Sequence, residues 1–135
     1  MWESLLVKAK EVMERAHAPY SKFHVGACLV TESGALYAGC NVENASYSLT
    51  IDAEANAIAQ MVAAGETSIQ AILVVCYGDV PCSPCGACRQ RIREFAEPDV
   101  PVHMCCVMGN GEVRHEMQTI GYLVPNHFGS EYLDE

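Results

Sequence analysis

The seven residues AILVVCY, Ala71–Tyr77, form the longest uninterrupted apolar run in this chain of 135 residues. Turn-forming residues bound the run, and it is far shorter than the roughly 18 apolar residues needed to cross a bilayer. A short run of this kind predicts a strand that is covered on both faces of its sheet. The fold therefore has to supply packed layers on both sides of this strand.

The rest of the chain supplies helices and further strands. Apolar residues recur at helical spacing until Pro19, which predicts an amphipathic helix over Trp2–Ala18. Helical character returns at Thr50–Ala64, where Gly65 is a C-terminal cap, and again for about ten residues after Pro84. Strands are predicted at Phe23–Val30, Ala35–Cys40, Ala71–Tyr77, Val100–Met108 and Glu112–Met117. This order predicts one α/β domain of three layers over residues 1–135.

Charge and cysteine content argue against several classes of protein. The 17 acidic and 8 basic residues give a net charge of −9, which disfavours nucleic-acid binding over a wide surface and favours a small neutral substrate. The beginning MWESLL carries an acid where a secretory signal carries basic residues, so we expect a soluble cytoplasmic protein without a membrane span. The eight cysteines are then expected to be buried thiols or metal ligands and not a disulfide framework.

Two of the cysteines, Cys85 and Cys88, form a C-x-x-C motif at the predicted start of the third helix. Exposed amides and the positive end of the helix dipole favour thiolates at such a position by lowering their pKa. The motif alone leaves a zinc site, a redox pair and coincidence open. A redox pair usually follows the first strand of a thioredoxin-like unit, which is not the order of elements here.

Two acidic residues, Asp52 and Glu54, stand at the head of the second predicted helix. If the two helix starts converge, Asp52 and two thiolates leave zinc one open position for water, as in catalytic zinc sites. Glu54 would then move protons between that water and a substrate. Taken alone, an acid in a first turn is more often a surface residue that stabilises the helix dipole. The polar segment Asn41–Leu49, rich in Asn and Ser, is predicted to be a loop that faces a ligand.

Several longer segments share their order and spacing with one family. Asp52–Glu54 and Pro84–Cys88 give D-x-E and P-C-x-x-C, one residue away from the H-x-E and P-C-x-x-C signature of zinc deaminases. Together with NVENASY, DAEANAI, SPCGACRQ and LVPNHFG, they resemble the small homotetrameric cytidine deaminases over nearly the whole chain. The resemblance implies a three-layer α/β/α fold with a mixed five-stranded sheet. It also implies zinc-dependent hydrolysis of cytidine or deoxycytidine to the uridine in pyrimidine salvage.

The resemblance further implies roles for individual residues. Asp52, Cys85 and Cys88 would hold Zn²⁺. Glu54 would shuttle protons while water attacks C4 of the pyrimidine and ammonia leaves. The residues implied to bind the nucleoside are Asn41 and Glu43 at the ribose 3'-hydroxyl, Phe23 against the base, and Ala53, Ser83 and Pro84 at the base edge.

The family's sites lie at subunit contacts, so the resemblance predicts a homotetramer. Tyr47 and Phe128 would reach toward a neighbouring subunit's substrate, although interface or core packing explains such aromatic residues equally well. Arg89 would hydrogen-bond a zinc thiolate. The five histidines show no spacing of a metal site and are predicted to be surface or packing residues.

Two positions depart from the family pattern. Position 52 is Cys or His in the family, and where it is Cys an arginine normally stands at the position of Ala55. We hypothesise that Asp52 and Ala55 are a linked exchange, because an oxygen ligand donates less electron density to zinc and so partly offsets the missing arginine. Cys82 is an alternative third thiolate if Asp52 does not bind. The alternative functions are deamination of N4-substituted cytidines or a nucleoside-like antibiotic, and a non-catalytic zinc-binding or nucleoside-binding role.

Overall fold

The computed structural model describes residues 2–133 and contains one mixed sheet with helices on both faces. The strands are β1 (Val25–Thr31), β2 (Leu36–Cys40), β3 (Ile69–Tyr77), β4 (Pro101–Val107) and β5 (Val113–Thr119). The helices are α1 (Trp2–Met13), α2 (Ala53–Ala63), α3 (Gly86–Glu94) and α4 (Ile120–Leu123). The strand order is β2-β1-β3-β4-β5, in which β3 and β4 run parallel and all other neighbours antiparallel.

The central strand β3 is buried on both faces, as its apolar run predicts. Leu73 and Val75 face α1 and pack with Leu5 and Met13 of that helix. The alternate residues of β3 face the opposite layer, where they belong to one apolar cluster with buried residues of α2, α3 and α4. Period-two alternation thus sends neighbouring side chains into two separate cores. The predicted three-layer α/β architecture is confirmed.

Two glycines allow helices to lie directly on strands. A Cβ on Gly26 of β1 would stand 2.1 Å from the carbonyl oxygen of Ala9 in α1. A Cβ on Gly39 of β2 would stand 2.6 Å from the amide nitrogen of Ala57 in α2. Because α2 contacts β2 this closely, the position of the first turn of α2 is fixed relative to the sheet.

Two predicted helix boundaries are wrong because backbone groups bond elsewhere. The first helix ends at Met13 and not at Ala18, since His17 donates its amide to Asn41 and accepts from Glu43 through its carbonyl. The second begins at Ala53 and not at Thr50, because Ile51 and Val42 exchange two backbone hydrogen bonds of 2.9 Å. These contacts tie the loop between β2 and α2 to the end of α1.

The remaining expectations for the elements hold more closely. Gly65 follows α2 with a φ of +90°, the left-handed conformation that a C-terminal cap requires. The short helix α4 after β5 was not predicted from the sequence.

None of the eight cysteines, all of which lie within residues 2–133, is in a disulfide. No helix in this range has the length and apolar character to span a bilayer.

Two histidines that the sequence places far apart meet on the face of the sheet that α1 covers. Nδ1 of His103 in β4 lies 2.8 Å from Nε2 of His115 in β5. Trp2 of α1 stacks on His115 with ring centroids 3.9 Å apart and planes within 2°. The antiparallel register, which sets Cys105 opposite His115, explains why the two rings are diagonal neighbours. The group is a packing contact between α1 and the sheet.

Candidate active site

Asp52, Cys85 and Cys88 meet where the first turns of α2 and α3 converge. Asp52 is the N-cap residue of α2 and Cys85 that of α3. The oxygen Oδ2 of Asp52 lies 3.2 Å from Sγ of Cys88 and 3.9 Å from Sγ of Cys85. One ligand atom from each residue falls within 4.8 Å of the others. Within residues 2–133 this is the one group of three or more potential metal ligands.

The donor set fits zinc. An N-cap aspartate ordinarily accepts a hydrogen bond from an amide of its own helix, yet neither Asp52 nor Cys85 makes a side-chain capping bond. Their side chains face each other instead. Two thiolates and one carboxylate are accepted zinc ligands, and three protein ligands leave the fourth tetrahedral position open, as in catalytic sites.

The electrostatics of the thiols differ from the expectation drawn from the helix dipole. Burial raises the pKa of the Cys88 thiol, and the neighbouring carboxylates of Glu54 and Asp52 raise it further. Desolvation and like charge therefore outweigh the helix N-terminus at this position, so the predicted lowering is wrong for Cys88. A coordinated cation reverses this balance, because a ligating thiol gives up its proton.

Glu54 lies in the first turn of α2, beside the ligand group. Its side chain is buried, with 4% of the residue exposed to solvent. Burial raises the pKa of the carboxyl, and the nearby charge of Asp52 acts in the same direction. A surface residue that only stabilises the helix dipole would be exposed, so that alternative does not hold. A carboxyl whose pKa is raised toward neutrality is suited to accept a proton and return it.

These groups border a cavity of about 260 Å³. Its wall contains most of the residues that the sequence assigned to the site, which are Phe23, Asn41, Glu43, Asp52, Ala53, Glu54, Ser83, Cys85 and Cys88. Ser21, Val25 and Thr50, which had not been assigned a role in the site, complete the wall together with Cys82, the alternative third thiolate. Residues that lie far apart in the sequence therefore form one concave surface.

Asn41 is buried and holds the backbone on both sides of Phe23. Its Oδ1 accepts from the amide of Val25 at 2.9 Å, and its Nδ2 donates to the carbonyl of Phe23 at 2.8 Å. The aromatic ring of Phe23 is about half exposed and lies in the cavity wall. Asn41 thus fixes the backbone of Phe23, the residue that the family resemblance places against the base.

Glu43 holds a second part of the wall. Its Oε1 accepts from the amides of Tyr20 and Ser21, both at 3.1 Å, and its other oxygen accepts from the hydroxyl of Ser21. The hydrogen bond from Ser21 lowers the pKa of the carboxyl. Glu43 is therefore an acceptor at the cavity rim. Ser21 is a contributor that motif spacing alone does not reveal.

Arg89 does not make the contact that the resemblance implies, and Cys82, the alternative ligand, is not part of the ligand group. Arg89 makes no hydrogen bond to a thiol in the described part of the chain, but donates to Pro84, Ser83 and Leu123. The expected bond from Arg89 to a zinc thiolate is thus wrong. Cys82 stands outside the ligand group, and a hydrogen bond with the Cys76 thiol together with burial raises its pKa.

Three of the assigned residues are not in the cavity wall. Pro84 is buried and follows Ser83, which does line the cavity. Tyr47 is 76% exposed and contacts the ring of Tyr20 edge-on, with centroids 6.2 Å apart. Phe128 is 56% exposed and stacks on Tyr132 with centroids 5.0 Å apart. Neither aromatic ring reaches the cavity of its own chain.

Comparison with known proteins identifies the family. Residues 2–104 match the family model described as the cytidine and deoxycytidylate deaminase zinc-binding region. The chain belongs to this family of zinc-binding deaminases. It is accordingly a hydrolase of the cytidine deaminase type, and zinc is the metal that its family and its ligand group both indicate.

Individual members of the family resemble it over nearly their whole length. A cytidine deaminase of Sporosarcina psychrophila is 43% identical over 131 residues, which cover 97% of this chain and 93% of the relative. A crystal structure of the cytidine deaminase from Burkholderia pseudomallei is 42% identical, with a TM-score of 0.84 over 95% of this chain and 99% of that one. The cytidine deaminase structure from Mycobacterium tuberculosis is 30% identical, with a TM-score of 0.79 over 95% and 97%. These structures confirm the predicted deaminase fold.

Proposed function

We propose that this protein deaminates cytidine and deoxycytidine to uridine and deoxyuridine, with one zinc ion held by Asp52, Cys85 and Cys88. The observation that carries the proposal is the buried carboxyl of Glu54 beside that ligand group, at the wall of a single cavity. A site kept only for structural zinc has no use for a buried acid at an open cavity, because burying a carboxyl costs free energy.

The proposed reaction adds water and releases ammonia. When bound, zinc supplies the Lewis acidity that makes water a nucleophile near neutral pH. Glu54 would take one proton from the water as its oxygen bonds to C4 of the pyrimidine, and would pass that proton to N3 of the ring. It would then carry the proton of the new C4 hydroxyl to the exocyclic nitrogen as the C4–N bond breaks, which leaves a C4 carbonyl and ammonia. Its raised pKa serves both directions of transfer.

The proposed nucleoside contacts come from the other walls of the cavity. Glu43 and the Nδ2 group of Asn41 would bind the ribose hydroxyl, and Phe23 would pack on the base. On the opposite wall, Ala53 and the Ser83–Pro84 backbone would bind the base edge. Support comes from the way in which Asn41 and Glu43 anchor the backbone around Phe23 and Ser21.

Assembly is the next part of the proposal. Tyr47 and Phe128 are exposed and lie outside the cavity of their own chain. In a homotetramer with sites at subunit contacts, each would complete a neighbour's site. A cytoplasmic role in pyrimidine salvage, with no nucleic acid as partner, goes with a nucleoside substrate and with the acidic charge of the chain.

The test is turnover by the purified, zinc-supplied protein with cytidine and deoxycytidine, using Glu54→Gln as the blank. This variant keeps the shape of the side chain and removes its ability to take up a proton. We expect conversion to the uridine product, a loss of about 10²–10⁴-fold in the variant, and equal zinc content in both proteins.

The same assay separates the alternatives. Conversion of N4-substituted cytidines or nucleoside-like antibiotics without conversion of cytidine would keep the reaction and change the substrate. If folded, zinc-loaded protein converts none of these compounds, it is a non-catalytic member of the family and the proposal fails.

A further inference from the structure

Arg89 stands directly after the second cysteine of the motif, in the first turns of α3, and its side chain turns back over the loop that precedes the helix. Nε donates to the carbonyl of Pro84 at 2.8 Å and Nη2 to the hydroxyl of Ser83 at 2.9 Å. Nη1 donates to the carbonyl of Leu123 at 3.4 Å. All three nitrogens of the guanidinium are thus engaged with two segments that lie far apart in the sequence.

The first of these segments forms part of the cavity wall. Residues 78–85 contain no helix or strand, and Ser83 borders the cavity next to the ligand Cys85. A wall made of irregular backbone depends on side-chain contacts to keep one conformation. The guanidinium supplies two such contacts, and its half-buried position strengthens charge-assisted hydrogen bonds.

The second segment is the C-terminal one. Leu123, which accepts from Arg89, is the last residue of α4. Gln90, the residue after Arg89 in α3, donates through Nε2 to the carbonyl of Phe128 at 2.9 Å. Two consecutive residues of α3 therefore hold the C-terminal segment, and one of them also holds the cavity loop. The helix that supplies a metal ligand is also the connection between the cavity wall and the chain end.

We infer that Arg89 is a positioning residue, whose guanidinium fixes the Ser83–Pro84 wall of the cavity against the C-terminal segment and so sets how the base is held. The inference rests on the proposed function for its effect on the base, but its structural part stands independently. Lysine cannot replace the arginine, because a single ammonium group cannot reach three acceptors arranged around a planar fork.

Two variants and one control test the inference. Arg89→Lys keeps the positive charge but loses the planar guanidinium, and Arg89→Gln loses both the charge and the guanidinium. Arg93→Gln is the matched control, because Arg93 lies on the same helix, is also half-buried and donates to a carbonyl, that of Ala96, at 2.9 Å. Zinc content and circular dichroism identify any variant that has failed to fold.

The first readout is amide hydrogen exchange, which needs no nucleoside. Both Arg89 variants should speed exchange in residues 82–85 and 122–128 by about tenfold or more, the equivalent of one lost charge-assisted hydrogen bond. The Arg93 variant should leave both segments unchanged. Exchange rates in the Arg89 variants that equal those of the control would overturn the inference.

The second readout separates KM from kcat for cytidine. Arg89→Gln should raise KM about tenfold with a smaller change in kcat, because the wall that contacts the base is displaced while Glu54 stays in place. Arg89→Lys should behave like Arg89→Gln and not like the wild type. A KM equal to that of Arg93→Gln would contradict the effect on the base. If the wild type converts no cytidine, the proposed function fails, while hydrogen exchange still decides the structural role of Arg89.

Discussion

Asp52 is the residue at which the resemblance implies a departure from the family pattern, and its geometry is consistent with a role as a metal ligand. The side chain occupies an N-cap position without capping its helix, and Oδ2 lies within 4 Å of both cysteine sulfurs. One carboxylate and two thiolates carry three negative charges against the two of zinc. Within residues 2–133, no arginine hydrogen-bonds Cys85 or Cys88, so the lower electron donation of the carboxylate oxygen is the available compensation.

The hypothesis that Asp52 and Ala55 are a linked exchange leads to a prediction. Asp52→Cys with Ala55 retained should lower turnover by about tenfold, because a third thiolate reduces the Lewis acidity of zinc and nothing offsets its charge. Adding Ala55→Arg to Asp52→Cys should restore most of the loss. Steady-state kinetics on zinc-replete proteins provide the check. A large gain in turnover in the single variant would refute the exchange.

The ligand group could be predicted from the sequence, but the hydrogen bonds around it could not. C-x-x-C at one helix start and D-x-E at another left convergence of Asp52, Cys85 and Cys88 as a possibility, and the resemblance to the zinc deaminases made these three residues the expected ligand group. The partners of Arg89 were predicted wrongly, and the role of Ser21 was not predicted. Hydrogen bonds of this kind depend on loop conformations, which no periodicity encodes.

At the scale of elements, the contact between α2 and β2 positions the first turn of α2, which borders the cavity. Gly39 has no side chain, so the backbone of α2 lies against the strand, and Asn56 of the helix donates through Nδ2 to the carbonyl of Cys40 at 2.7 Å. Element types were predictable from apolar spacing, but the helix starts and ends were not. Bridges such as that between Val42 and Ile51 take backbone groups that the helix would otherwise use.

Gly39→Ala should therefore disturb the site from a distance. The added methyl group would meet the backbone of α2 and cost about 1–3 kcal/mol of unfolding free energy. It should also weaken zinc retention, because the first turn of α2 shifts with the helix. Denaturant unfolding and a zinc-chelator competition are the two measurements.

Gly109→Ala is the control for this prediction, since a Cβ there meets no atom within 4 Å. If Gly39→Ala and Gly109→Ala have the same free energy of unfolding and the same affinity for zinc, the close approach of α2 to β2 does not affect the site.

At the scale of the whole molecule, the two faces of the sheet differ in function. The layer of α2, α3 and α4 holds the cavity, while α1 covers the other face and begins with Trp2, which stacks on His115. Burial lowers the pKa of His103 in that stack, and His115 acts in the same direction while Glu3 opposes it. His103 therefore makes the stability of the fold depend on pH.

The sign of that dependence follows from linkage. Because the pKa of His103 in the folded protein lies below its ordinary value of 6.5, the unfolded chain binds more protons, so stability is lost as pH falls through about 6.5. His103→Gln should make this loss shallower, as measured by denaturant unfolding at several pH values between about 7.5 and 5. His24→Gln is a suitable control, because His24 is also half-buried and lies outside the stack. Equal slopes for the wild type and His103→Gln would contradict the prediction.

The most direct test of the account is the coordination shell of zinc in the loaded protein, measured by X-ray absorption at the zinc edge. Asp52, Cys85 and Cys88 as ligands predict two sulfurs at about 2.3 Å and oxygen neighbours at about 2.0–2.2 Å. Asp52→Ala should then lose an oxygen neighbour and bind zinc more weakly. Three sulfurs in the wild type would mean that Cys82 has replaced Asp52, which would contradict the account and indicate a site closer to a structural one.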